Sequence, residues 1–175
     1  MTLNGVGRGT TIHHVQINQN LDDGIEWFGG TVNVSYAVVS GCDDDKYDTD
    51  LGCNFLAQYL IAVDDTTKGT SNDHEGFEAD NRPSSPFNRV PRSYPRFANA
   101  TMISQGYEYA TTNMGIHTRR GTQGEWYNIL WTRYRRGMDV DDRTGTDSTM
   151  LFATAGVFNS IWYDITAFNN DGDGF

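Results

Sequence analysis

The sequence predicts an all-β protein wound as a right-handed parallel β-helix, a solenoid with coils of about 22 residues and loop insertions. Three observations lead there. Short segments of the form Gly-apolar-acidic-x-acidic recur along the chain, a longer apolar run stands ahead of each, and Gly, Asn and Asp mark the corners between them. Units of this kind are too short to bury a face alone, but they bury a continuous core when stacked. Crossovers between parallel strands of one sheet are right-handed.

The short segments lie at 24–28, 47–50, 76–80, 115–119 and 137–141. Ile25 to Tyr47 spans 22 residues, and so does Ile116 to Met138. The apolar runs cover 12–17, 32–39, 57–63, 97–103 and 126–131, and a sixth is expected over 157–168. The intervals from Phe77 to Ile116 and from Met138 to Phe175 are longer and require insertions. Residues 81–95 hold all four prolines and read as a loop projecting from one corner, with 141–148 as a second. The chain is expected to open in a Gly-rich corner ahead of the strand at 12–17. One β-helix domain, 1–175, accounts for everything.

Composition narrows the function classes. A net charge of −10 and a pI near 4.6 argue against a nucleic-acid partner, which needs clustered Lys and Arg. Arg119, Arg120, Arg133, Arg135 and Arg136 read as local charge balance. No run approaches the ~20 apolar residues of a membrane span. The N-terminus lacks a signal-peptide pattern, so an export signal is expected outside this chain. Cys42 and Cys53 match no zinc spacing, and a disulfide around the acidic loop or two free thiols both remain open.

Three stretches carry a family resemblance. Gly24-Ile25-Glu26-Trp27-Phe28-Gly29-Gly30-Thr31-Val32-Asn33-Val34, Asp43-Asp44-Asp45-Lys46-Tyr47-Asp48-Thr49-Asp50-Leu51-Gly52 and Arg119-Arg120-Gly121-Thr122 resemble phrases of the pectin-lyase-like right-handed parallel β-helix repeats found in secreted bacterial lipoproteins and cell-surface proteins. The likeness covers nearly the whole chain. It implies an extracellular or cell-surface location and a polysaccharide or other small-molecule substrate. It assigns no activity, because β-helices host many functions.

Stacking the five short segments turns them into a grid. Inward columns are Ile25, Tyr47, Phe77, Ile116, Met138 and Trp27, Thr49, Ala79, Thr118, Val140, mostly apolar as a core requires. Outward columns are Glu26, Asp48, Glu78, His117, Asp139 and Phe28, Asp50, Asp80, Arg119, Asp141, which place seven carboxylates, one His and one Arg on one strip. Two carboxylates ~5 Å apart repel by about 3 kcal/mol at an effective dielectric near 20. A bound divalent cation, raised pKa values or the Arg and His must offset this. Asp48, Asp50, Glu78, Asp80, Asp139 and Asp141 are the candidate metal ligands; their oxygen-only chemistry favours calcium, with another divalent metal as the alternative.

For catalysis the candidates are Asp48, Asp50, Glu78, Asp80, His117 and Arg119. In a glycoside hydrolase, one of the four carboxyls is general acid and another is base or nucleophile. In a polysaccharide lyase, calcium sits on the carboxylates while Arg119 or His117 draws the proton. Asp48-Thr49-Asp50, Glu78-Ala79-Asp80 and His117 follow one another as the motifs of polygalacturonase-type β-helices do, although Asp48 replaces an Asn and no Arg-x-Lys follows. The alternative is a non-catalytic structural or adhesive segment stiffened by calcium. Phe28, Tyr107, Tyr109 and Tyr127 are candidate rim aromatics for sugar.

Three weaker features complete the reading. His13 and His14 stand in an alternating strand, so their rings are expected on opposite faces, unable to share a metal. No G-x-S-x-G occurs, which disfavours a serine hydrolase. Asp171-Gly172-Asp173-Gly174 reads as a plain turn. Neither end shows a capping segment, so a fragment of a longer surface protein and end-to-end homo-oligomers are expected. Size-exclusion chromatography with light scattering tests this: mass should rise with concentration, and a clean monomer throughout would refute it.

Overall fold

A computed structural model describes residues 1–65, 74–106, 113–141 and 155–169. Its strands fall into two parallel sheets. The first is built from short strands, β1 (Thr2–Asn4), β3 (Ile25–Phe28), β5 (Tyr47–Asp50), β7 (Phe77–Ala79), β9 (Met114–Thr118), β11 (Arg136–Val140) and β14 (Ala167–Asn169), stacked in that order. The second holds the longer β2 (Ile12–Asn18), β4 (Val34–Ser40), β6 (Leu56–Val63), β8 (Arg96–Ile103) and β10 (Gly124–Thr132), followed by β12 (Ala155–Phe158) and β13 (Ile161–Tyr163), which both pair with β10. The chain alternates between the sheets, so each turn of the coil is one short and one long strand. This is the all-β parallel β-helix that the repeats predict.

The inward register is as expected. Ile25 pairs with Tyr47, Tyr47 with Phe77, Phe77 with Ile116 and Ile116 with Met138. The first four are fully buried. Aromatic rings continue this order through the core, with Trp27 stacked on Phe55 at 4.4 Å and Trp131 on Trp162 at 4.1 Å. Such contacts add roughly 0.5–1.5 kcal/mol each beyond area burial.

The long sheet departs from simple alternation. His14, Tyr36, Tyr59, Asn99, Asn128 and Asn159 all have φ between 51° and 60°. They occupy one column: on either side of them His13 pairs with Ser35 and Val15 with Ala37, and later rungs repeat the pattern. One left-handed residue per rung puts two consecutive side chains outward and bends every long strand at the same place. Inward residues therefore follow the spacing Val34, Ala37, Val39 and Phe97, Ala100, Met102, all buried. A left-handed residue with a Cβ costs about 1 kcal/mol or more, least for Asn. Asn128 Nδ2 donates to Asn99 Oδ1 at 2.7 Å, and His14, Tyr36 and Tyr59 stack as rings at 4.6 and 4.8 Å.

Several boundaries differ from expectation. Thr2–Asn4 already pairs with β3, so the chain opens in a strand and not in a corner. Its apolar content is a single Leu, too little for periodicity to register. Val32 is buried at a corner, outside β4. The run expected over 157–168 splits at the left-handed Asn159 and then crosses to the short sheet as β14. Residues 81–95 carry no strand, as expected of a loop. They hang on fully buried Asn81, whose Oδ1 accepts from Ser93 N and whose Nδ2 donates to the carbonyls of Phe87 and Arg89. The loop expected over 141–148 lies, from 142 on, outside the described residues.

Gly24, Gly76 and Gly115 share one column, just before β3 and β7 and inside β9, and at each of the three an added Cβ would come within 2.7 Å of a carbonyl oxygen of the next rung. A Cβ on Gly24 would strike Val39 Cγ1 and come within 2.5 Å of the Lys46 carbonyl oxygen. Gly24→Ala should lower stability by about 1–3 kcal/mol in urea unfolding, as overpacking does. Gly7→Ala has nothing within 4 Å and should stay within about 0.5 kcal/mol. Equal losses would refute the packing argument.

Candidate functional site

The short sheet carries the expected strip. Glu26 pairs with Asp48, Asp48 with Glu78, Glu78 with His117 and His117 with Asp139. Phe28 pairs with Asp50, and the column continues through Asp80, Arg119 and Asp141, whose backbone N–H groups bond to Thr49, Ala79 and Thr118 of the preceding rungs. All the predicted site residues thus share one face. Asp48, Asp50, Asp80 and Asp139 are nonetheless buried.

The densest acidic group includes residues that the grid omits, at the corner just before the short strands. Asp45 N donates to Asp23 Oδ1 at 3.1 Å and Glu75 N to Asp45 Oδ1 at 2.9 Å, a carboxylate ladder that ties three rungs together. Asp45, Asp48 and Glu78 bring carboxylate oxygens within 4.8 Å of one another. Asp23, Glu26 and Asp48 do the same, as do Asp44, Asp45 and Glu75, and Asp22, Asp23 and Asp44. Of the six residues expected to bind metal, Asp48 and Glu78 enter such groups; Asp50, Asp80, Asp139 and Asp141 enter none among the described residues. The signal in the sequence was an acid two positions before the apolar residue: Asp23 before Ile25, Asp45 before Tyr47 and Glu75 before Phe77.

Burial and mutual repulsion shape this group's titration. Burial, then Glu75, pushes the Asp45 pKa well above the carboxylate range, and burial, then Glu78, does so for Asp48. Glu78 is raised to about 9 by burial and then Asp45, with Arg119 opposing. Asp23 is raised to about 7 by burial and then Glu26.

Two arginines stand at the opposite margin of the strip. Arg119 reaches Glu78 Oε2 at 2.5 Å and Asp80 Oδ1 at 2.9 Å, while Arg120 reaches Asp80 Oδ2 at 2.6 Å. A left-handed backbone at Arg120, φ +53°, lets neighbouring residues grip the same carboxylate. Burial opposes the Arg119 charge, but Glu78 and Asp80 outweigh it and hold the guanidinium protonated. For Asp80, burial prevails over the two arginines and its pKa stays above the usual value. His117 Nδ1 lies 3.7 Å from both Glu75 and Glu78. Arg92, from the 81–95 loop, donates to the Gly121 carbonyl from Nε and Nη2, so that loop walls the arginine margin.

Lys46 stands where other rungs have Gly. Fully buried, its Nζ bonds Asp64 Oδ1 at 2.9 Å and the carbonyls of Cys42 and Asp44. Cys42 and Cys53 are buried free thiols, which resolves the alternative left open by their spacing. Phe28 borders the strip, whereas Tyr127 lies on the long sheet stacked on Phe158. Tyr107 and Tyr109 lie outside the described residues.

A family model described as a pectate-lyase-like β-helix domain matches residues 1–171. Neither curated proteins nor solved structures give a match.

The raised carboxyl pKa values fix the sign of a pH dependence. A carboxyl that holds its proton more tightly when folded makes stability fall as pH climbs from the ordinary carboxylate range through the folded value, about 7 for Asp23 and about 9 for Glu78. In chelator, the unfolding midpoint by calorimetry should be higher near pH 5 than near pH 8.5, by about 4 °C or more. A midpoint that rises over this window would contradict the assignment.

Proposed function

The chain belongs to the pectate-lyase-like β-helix domain family, and on that premise we propose that it is a secreted, carbohydrate-directed module whose acidic strip holds a divalent cation and cleaves an acidic polysaccharide by β-elimination. The observation that carries this reading is the convergence of buried Asp45 and Asp48 with half-buried Glu78 within 4.8 Å, and His117 and Arg119 beside them. Three crowded carboxyls that retain protons against their mutual repulsion form a site where a cation can take the protons' place. An all-oxygen set suits a hard cation, calcium first.

Asp45, Asp48 and Glu78 would hold the cation, which supplies positive charge that both neutralises them and attracts a sugar carboxylate. The remaining chemistry belongs to the chain. His117 is the proton acceptor: its Nδ1 sits at the edge of the carboxylate group, and a neutral imidazole takes a proton at ordinary pH. Arg119 is too firmly protonated to compete and serves to bind negative charge. As the C5 proton of a uronic acid passes to His117, the C4–C5 double bond forms, the glycosidic bond at C4 breaks and the leaving oxygen takes a proton from water.

A second reading, a structural segment stiffened by calcium, is favoured by the Asp23–Asp45–Glu75 ladder, which links rungs through backbone N–H groups. Assays on a panel of acidic polysaccharides and chromogenic glycosides, with calcium or chelator, separate the readings. Elimination predicts calcium-dependent ultraviolet absorbance from an unsaturated product, reduced about 100-fold or more by His117→Ala. New reducing ends without that absorbance would mean hydrolysis, with Glu78 and Asp80 as the carboxyl pair. Thermal stabilisation by calcium, abolished by Asp48→Asn, with no product from any substrate would leave the structural reading.

A further inference from the structure

The bend of the long sheet carries a second constellation, on a different sheet from the acidic strip. His13 and His14 were expected on opposite faces, but the left-handed backbone at His14, φ +54°, turns both side chains outward. Their Nδ1 atoms lie 2.9 Å apart, with the ring planes at 89°. His14 is held in place by stacking on Tyr36 at 4.6 Å and 19°, and Tyr36 is in turn stacked on Tyr59 at 4.8 Å and 14°.

We propose that His13 and His14 form a bidentate site for a divalent transition-metal ion that prefers square-planar or tetragonal coordination, copper(II) before nickel(II). Imidazole nitrogen bonds such metals at roughly 2.0–2.1 Å. Two ligands at a right angle then stand ~2.8–3.0 Å apart, and two at a tetrahedral angle ~3.3–3.4 Å apart. The observed 2.9 Å is the hydrogen bond between the two nitrogens; it holds them close enough to serve as neighbouring ligands of one ion, and the order copper(II) before nickel(II) follows from the stronger bonding of copper to imidazole nitrogen. Nitrogen donors also separate this site from the oxygen-only group on the short sheet, which suits hard cations.

The donors are preorganised and reachable. Both histidines are exposed, and His14 borders an open groove of about 350 Å³ shared with Tyr36, Tyr59 and Ile61, which leaves room for water or another ligand at the remaining positions. The ring stack fixes the His14 plane, so little side-chain entropy remains to be lost when metal binds. Without metal, one ring N–H donates to the other nitrogen; on binding, that ring shifts its proton through water to Nε2 and the ion takes the place between the two Nδ1 atoms.

Electron paramagnetic resonance of copper(II) added to tag-free protein, with calcium in excess to occupy the acidic strip, tests the site. The expected spectrum shows two equatorial nitrogens at one copper per chain. His13→Gln, and His14→Asn with a residue that tolerates the left-handed backbone, should each weaken binding at least about 10-fold and remove the two-nitrogen signal, while circular dichroism stays unchanged. Tyr36→Ala should weaken copper binding less than either. Copper bound through oxygen alone, or a two-nitrogen signal that survives both histidine variants, would overturn the proposal.

Discussion

Parallel strands stacked in register put each side chain directly over its counterpart one turn away, about 4.8 Å distant, and the rest of this molecule follows from that constraint. Facing inward, it is favourable: Tyr47 over Phe77 and Trp131 over Trp162 are aromatic contacts obtained by placing like on like. Facing outward, it sets Glu26, Asp48 and Glu78 in one file, where each neighbour opposes the next. The strands cannot slip to relieve this, because a one-residue shift would turn the buried Ile25, Tyr47 and Phe77 to solvent. The hydrophobic core therefore imposes the electrostatic strain of the acidic face.

The same constraint explains the column of left-handed residues. A bend is useful only if every rung bends at the same point, so the conformational cost recurs in each, and each rung offsets part of it differently. Asn99 and Asn128 do so with an amide hydrogen bond between rungs, and His14, Tyr36 and Tyr59 with a ring stack. Both devices work only because the neighbour stands directly above.

This distinguishes what the sequence reveals from what it conceals. Columns made within strands were legible: the period of Ile25, Tyr47, Ile116 and Met138 gave the register, and the register gave the outward acids. Corner residues were not, because alternation says nothing about where Asp23, Asp45 and Glu75 point once the backbone turns. His13 and His14 were misread because one positive φ inside an apparent strand reverses the parity of everything after it, though the repeated apolar spacing of Val34, Ala37, Val39 and Phe97, Ala100, Met102 carried that signal. Lys46 was hidden by its position, since a Lys in a Gly column looks like a surface residue until Asp64 is seen beside it.

Over the rungs of β3 to β9 the two corners flanking the short strands carry different charge. The corner before the short strands carries Asp23, Asp45 and Glu75; the corner after them carries Arg119 and Arg120, clamped on Glu78 and Asp80. The two arginines reach only the second corner; at the first, Asp23 and Asp45 hold their protons more firmly than free carboxyls do. A face balanced throughout would attract no ion, and one acidic throughout would repel an acidic polymer. His117 stands against Glu75 and Glu78 where the two regimes meet. A proton acceptor placed there is next to the charge that an ion would supply and to the guanidinium that would hold a sugar carboxylate, which is why the proposed elimination centres on this point of the strip.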